Sequence, residues 1–421
     1  MLDLFPISAR VEGHELVLGA IPAAELADRF GTPLVVYCEA TLRAQARELR
    51  AAAPDALLLY AAKAFPNVAV LRVFAEEGLG ALAASHGELE LARSAGIAGE
   101  RLYLHGNAKG GEELAAARAA GATVVLDSEG EADLVARGCP VLVRVTLGVE
   151  ADTHEAIRTG HHGSKFGLPP DAALRALERS LELGHDVRGL HAHVGSQLSG
   201  IADHAETIEL LAAFAARCRE RLGGWTPRIV DVGGGFAVRH VPEEPRASLG
   251  ALARTVAESV LRAWRAHGLP QPQVVLEPGR ALVGRAGVTL YRVRSIKRLP
   301  DATWVAVDGG MSDNPRPQLY GARYTALAAA RADEPATENV SLAGLHCESG
   351  DVLVDDVALP EPRPGDLVAI PATGAYTLAM SSNYNATPRP AAVLVADGDA
   401  RVIRRRETLE DLLALEVPPP T

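Results

Sequence analysis

From residue 57 to residue 280, short apolar runs alternate with alanine-rich amphipathic stretches. The runs at 57–62, 81–84, 102–105, 123–126, 141–146, 187–194, 228–232 and 273–277 are rich in Val, Leu and Ile and bounded by Gly, Pro, Asp or Asn. That pattern predicts strands covered on both faces, since a strand with one wet face would alternate. The stretches 110–119, 171–183 and 201–222 carry helical spacing. Strands separated by helices predict a closed parallel (β/α)8 barrel of TIM-like type. An open doubly wound sheet is the alternative, but no GxGxxG follows the first run. The earlier run "LVVY" (34–37) is then one strand too many and is assigned to the approach before the barrel.

Beyond about residue 281 the helical period fades. "GVTLYRVRSIKRL", "TWVAVDGG", "NVSLAGLHCESGDVLVDD", "DLVAIPATGAY" and "AAVLVADGDARVIRRR" are β-rich and separated by Gly, Pro and Asp turns. The expected organisation is a barrel over 31–281 and an antiparallel β-sandwich or barrel domain over 282–421. Residues 1–30, with the alternating "HELVLG", are expected to join the second domain as an extra strand.

A length of 421 residues exceeds one small core, in keeping with two domains. The formal net charge of −11 argues against nucleic acid or an anionic membrane as partner. The densest basic run, "RVIRRRE" (401–407), reads as a solvated strand edge. The first residues carry charges and a proline where a signal peptide needs an apolar segment, and no run is long enough to span a bilayer. The four cysteines (Cys38, Cys139, Cys218, Cys347) show no CxxC spacing, so a reducing, cytoplasmic setting is expected.

In such a barrel the working residues gather at the C-terminal strand ends. Lys63 ends the first strand. It is one of only four lysines among 42 basic residues, the others being Lys109, Lys165 and Lys297. A chain that otherwise uses arginine keeps lysine where a primary amine must bond to a carbonyl carbon, although a lysine at a strand end is more often a snorkelling surface residue. "GLHAHVGSQ" (189–197) ends the sixth strand, "DVGGGF" (231–236) the seventh and "LEPGR" (276–280) the eighth. Gly233, Gly234 and Gly235 leave backbone N–H groups open to a phosphate, a following helix would add its positive end, and Ser196 would add a hydroxyl. Glu277 suits a protonated ring nitrogen. These parts fit a phosphorylated aldehyde on an aromatic ring, that is, a pyridoxal cofactor. His191 and His193 share an alternate spacing that could instead chelate a metal, but no other histidine-rich strand end completes a set, and His161 and His162 are adjacent. In the β domain, "GLHCESGD" places Cys347 and Glu348 in a polar turn, while Arg316, Tyr320 and Tyr376 suit a zwitterionic substrate.

Taken in order, "YAAKA", "SHGELELA", "HGNAK", "TGHHGSKFG", "HAHVGSQ", "DVGGGF", "EPGR", "DGGMSDNPRPQLYGA", "HCESGD" and "ATGAY" resemble the fold-type III pyridoxal-phosphate-dependent decarboxylases, within them the diaminopimelate-specific branch, over nearly the whole chain. The resemblance implies a barrel plus β domain, a homodimer with shared active sites, and decarboxylation of meso-2,6-diaminopimelate to L-lysine. It implies that Lys63 bonds to pyridoxal 5'-phosphate, His193 stacks on its ring, and Ser196 with Gly233, Gly234 and Gly235 holds the phosphate. Glu277 would pair with the ring nitrogen, and Gly279, Arg280 and Tyr376 would complete the cofactor site. Arg280, Arg316, Tyr320, Glu348 and Tyr376 would grip the substrate. Cys347 would return the proton, with Cys347 and Glu348 coming from the partner subunit. Leu82 stands where many members carry aspartate and His86 where glycine is common, which keeps a relative acting on another amino acid as the alternative. An inactive regulatory homologue and a barrel metallohydrolase are the readings from other classes.

Overall fold

A computed structural model describes residues 1–149, 164–198, 200–246 and 248–417. Two compact units emerge, one of Arg43–Ala237 with Arg246–Leu282, the other of Met1–Leu42, Val238–Pro245 and Val283–Thr421.

In the first of these, parallel strands close into a barrel: Leu57–Ala61, Gly80–Ala83, Leu102–Leu104, Thr123–Leu126, Pro140–Arg144, Asp186–His191, Ile229–Asp231 and Gln273–Leu276. The last pairs with the first, Val275 opposite Leu57 and Leu276 opposite Leu58. Leu59, Ala61, Leu82, Tyr103, Val125, Leu142, Ile229 and Val275 pack together as its interior. Burial of each Leu, Ile or Val side chain there contributes about 1.5–3 kcal/mol, which is why the strands are predominantly apolar, polar residues such as Arg188 and His191 being the exceptions. Because the strands run in parallel, their C-terminal ends open on one face.

Local signals direct the chain as it leaves the first strand. A single 3-10 turn, Ala62–Ala64, carries Lys63. Pro66 and Asn67 then start the helix Val68–Glu76, with the Asn67 side chain accepting from the N–H groups of Ala69 and Val70 at 3.0 and 3.3 Å. A cap of this kind is worth about 1 kcal/mol and fixes the exit from the turn.

The other unit holds a nine-stranded sheet and a three-stranded antiparallel sheet formed by Arg10–Glu12, Glu15–Leu18 and Ile21–Pro22. Leu34–Cys38 lies inside the larger sheet, antiparallel to Gly287–Arg298 and parallel to Ala391–Ala396. It is therefore not an approach to the barrel. All five of its residues are buried, and Leu34 and Val36 pack with Leu16, Leu18, Val288, Leu290, Val393 and Val395. A buried apolar run looks the same in sequence whichever sheet receives it. The sheet is mixed rather than antiparallel, since Thr303–Val307 also runs parallel to Glu338–Ala343. Arg401–Arg404 of the basic run lie on Asp399–Arg404, the terminal strand of this sheet, whereas Arg405 and Arg406 follow it and half-buried Arg406 donates to the Phe30 and Pro33 carbonyls. Cys38, Cys139 and Cys218 are buried free thiols and Cys347 is exposed. No helix among the described residues is long and apolar enough to cross a membrane.

Candidate active site

Lys63 is exposed at the open end of the first strand. Its charge acts on His193 and on Glu88, so the amine lies near the sixth strand end and the helix that follows the second. His193 is half-buried, and its Nδ1 accepts the Gly234 N–H at 3.3 Å. That contact leaves the proton of the neutral ring on Nε2. Burial, with the charge of Lys63, holds the imidazole well below its ordinary pKa, so it is a neutral, flat surface.

The triple-glycine turn packs too closely for any side chain. A Cβ on Gly233 would lie 2.3 Å from His193 Nδ1, one on Gly234 2.1 Å from the Glu277 carbonyl oxygen, and one on Gly235 2.4 Å from the Gly195 carbonyl oxygen. Gly233 and Gly235 also sit at φ +71° and +94°, where glycine alone is unstrained. The turn thus ties three strand ends together. No helix starts directly after it, contrary to the sequence expectation: the next helix is Leu249–Ala266. Instead His204, from Ala202–Arg221, reaches back with Nε2 to the Gly234 carbonyl at 3.0 Å. Ser196 Oγ accepts from Arg280 Nη2 at 3.3 Å, and Gly279 is buried at the bend into Arg280–Val283.

Glu277, just past the eighth strand, is buried with His105 Nε2 2.8 Å from Oε1 and His191 Nε2 3.5 Å from Oε2. Burial works against its charge, but the two imidazoles outweigh it and hold the carboxyl well below the usual range. His105 is lowered by its own burial, against the pull of Glu277, and His191 falls to about 4 for the same reason. Donor atoms of His105, His191, Asp231 and Glu277 all lie within 4.8 Å of one another. The expectation that nothing completes a set with His191 is therefore corrected. His193 is not its partner; His105 and Asp231 are, from the third and seventh strand ends. His161 and His162 lie outside the described residues.

In the other unit, Cys347 is exposed in the turn after Glu338–Ala343, its N–H donating to Asn385 Oδ1 at 3.2 Å. Glu348 is exposed beside it. Asp351 builds the turn, its carboxylate accepting from the N–H groups of His346 at 2.9 Å and Met311 at 2.6 Å. Arg316 opens the short helix Arg316–Tyr320 and is buried against His240 Nε2 at 3.0 Å and the Tyr324 hydroxyl. Its Nε has no hydrogen-bond partner, and no carboxylate pairs with it among the described residues. Tyr320 is half-buried with its hydroxyl 4.0 Å from Met380 Sδ, and half-buried Tyr376 holds a left-handed φ of +58°.

A lysine amine, a neutral imidazole, a glycine turn and a buried carboxylate thus share one barrel mouth. The sequence profile described as "Pyridoxal-dependent decarboxylase, pyridoxal binding domain" matches residues 39–284. A diaminopimelate decarboxylase of Actinosynnema pretiosum subsp. auranticum is 48% identical, covering 98% of this chain and 95% of that protein. This chain belongs to the diaminopimelate decarboxylase family. The Bacillus subtilis family member is 40% identical over 96% of each chain. The diaminopimelate decarboxylase of M. jannaschii in co-complex with L-lysine superposes with a TM-score of 0.92 at 31% identity, covering 98% of both chains. The family consists of pyridoxal-dependent amino-acid decarboxylases, and this chain is such an enzyme.

Within this family frame, three residues escaped the sequence reading. His105 and Asp231 were not singled out, although each sits at a strand end, the same signal that drew attention to Lys63. Glu88 is the third: its half-buried carboxylate accepts the Ala84 N–H at 2.7 Å and feels the charge of Lys63, while Leu82 is buried in the barrel interior.

Proposed function

We propose that this chain decarboxylates meso-2,6-diaminopimelate to L-lysine and carbon dioxide with pyridoxal 5'-phosphate, as a homodimer with shared active sites. The observation that carries the reading is Lys63 near His193, whose ring packs on the glycine turn that abuts the Glu277 backbone. The residues fit the cofactor. Glu277 Oε1 is a buried acceptor without a well-aligned hydrogen bond, which a protonated ring nitrogen would satisfy. Lys63 would bond to the aldehyde carbon, His193 would cover one ring face, and Ser196 with Gly233–Gly235 would hold the phosphate. Gly279, Arg280 and Tyr376 would complete that shell. When bound, the cofactor supplies an electron sink for the pair left behind as carbon dioxide departs.

The chain's own groups do the rest. Glu277 is held in its ionised form and would pair with a protonated ring nitrogen. The guanidinium of Arg316, which meets no carboxylate among the described residues, suits a bidentate grip on the distal carboxylate, and Tyr320, Arg280 and Tyr376 would be the other substrate-binding residues. The partner's Glu348 would meet the distal ammonium group. The partner's Cys347 would give its Sγ proton to the α-carbon that has lost the carboxylate, leaving a thiolate to be reprotonated by water. Buried free thiols at Cys38, Cys139 and Cys218 suit work in a reducing cytoplasm.

The test is carbon dioxide release from a panel of meso-diaminopimelate, lysine, ornithine, arginine and glutamate, beside an absorption spectrum and a metal analysis. Release from meso-diaminopimelate alone, with a chromophore near the visible edge, supports the reading. Preference for another member of the panel, or activity that tracks bound zinc, overturns it.

A further inference from the structure

Two carboxyl groups meet at the floor of the barrel mouth, and their surroundings differ. Glu277 has an imidazole near each oxygen, at 2.8 and 3.5 Å. Asp231, last residue of the seventh strand and register partner of His191, is fully buried. Its Oδ1 accepts the Gly233 N–H at 2.8 Å, whereas no donor among the described residues reaches its Oδ2. A carboxylate oxygen of Asp231 lies within 4.8 Å of one of Glu277. Two buried carboxylates this close repel, and a buried oxygen without a donor keeps its desolvation cost. A single proton on Asp231 removes both costs.

We propose that Asp231 is a neutral carboxylic acid that donates a hydrogen bond to Glu277, confining the pair's one negative charge to Glu277. Asp231 is then a positioning residue: one oxygen pins the glycine turn and the other orients the carboxylate. The groups facing the pair come from several strand ends: Tyr103 and His105 from the third, Arg144 from the fifth, His191 from the sixth. Burial, then the charge of Glu277, raises Asp231 well above the carboxylate range. The two imidazoles stand 2.8 and 3.5 Å from the oxygens of Glu277, which favours the charge there and the proton on Asp231. The consequence for catalysis rests on the pyridoxal reading above; the proton assignment rests on the geometry.

The experiment compares wild type with D231N, D231A and D231L. Asparagine keeps both contacts, its oxygen accepting from Gly233 and its NH2 donating to Glu277; alanine and leucine keep neither. In cofactor-free protein at neutral pH, the infrared difference between wild type and D231N is expected to show a protonated-carboxyl carbonyl band lost from the variant. In pyridoxal phosphate titrations, D231A is expected to bind at least about tenfold more weakly, as for a lost hydrogen bond to a charged group, and D231N to recover most of that loss. Absence of the band, D231N as weak as D231A, or D231L as good as D231N would each overturn the proposal. A wild-type protein that shows the band but takes up no pyridoxal phosphate would support the proton on Asp231 and refute the cofactor reading.

Discussion

His105 Nε2 stands 2.8 Å from Glu277 Oε1, although one residue follows the third barrel strand and the other the eighth. That contact keeps a buried carboxylate charged. Replacing His105 with leucine removes one of the two imidazoles that oppose the burial of Glu277, so the carboxyl takes up its proton at a higher pH. The acid limb of the kcat/KM profile is expected to move towards neutrality by roughly one unit, or ~1.4 kcal/mol. A limb that stays where it is in the wild type would contradict this role.

Gly234 has no room for a methyl group, because its Cβ would lie 2.1 Å from the Glu277 carbonyl oxygen, a backbone atom that cannot swing away. Gly234→Ala is expected to cost about 1–3 kcal/mol in urea unfolding, as for other overpacked sites. Because the displaced atom belongs to Glu277, pyridoxal phosphate affinity should fall as well. A variant with wild-type stability and affinity would show that the turn is loose.

Arg316 is buried against His240 and Tyr324 but meets no carboxylate among the described residues. Arg316→Lys keeps the charge and loses the fork. KM for meso-diaminopimelate is expected to rise about tenfold or more, the cost of a charge-assisted hydrogen bond, with a smaller change in kcat. An unchanged KM would remove Arg316 from the substrate site.

Much of the barrel was legible because parallel strands covered on both faces must be predominantly apolar, and runs such as "LLLYA", "TVVL" and "QVVL" cannot be anything longer. Leu34–Cys38 was placed wrongly for the same reason: an apolar run states that it is buried, not by whom. The site was legible where a residue type is unusual in its place, as with Lys63 and the three glycines. His105 and Asp231 were not, because each is ordinary by itself and gains meaning only when barrel closure brings it to Glu277. The helix expected after the glycine turn was an analogy with phosphate loops, and here backbone packing and His204 hold the turn instead.

Asp313 ties pH to stability. Burial pushes its carboxyl up to about 7, against hydrogen bonds from the Tyr291 hydroxyl and the Gly310 N–H. The folded protein keeps this proton up to about pH 7, whereas the unfolded chain releases it near 3.8. The contribution is therefore whole below 3.8 and is lost as pH rises through 7. Asp313→Asn should decline less than wild type across that window, by ~1.4 kcal/mol per pH unit, in urea unfolding at two pH values inside it. Parallel profiles for the two proteins would place the ionised form in the fold.

The amine of Lys63 carries the account. Borohydride reduction in the presence of pyridoxal 5'-phosphate, followed by peptide mass mapping, should add one pyridoxyl phosphate to the peptide that contains Lys63. Lys63→Arg should abolish both the adduct and carbon dioxide release. An adduct on Lys109, Lys165 or Lys297, or turnover that survives in the arginine variant, would contradict it.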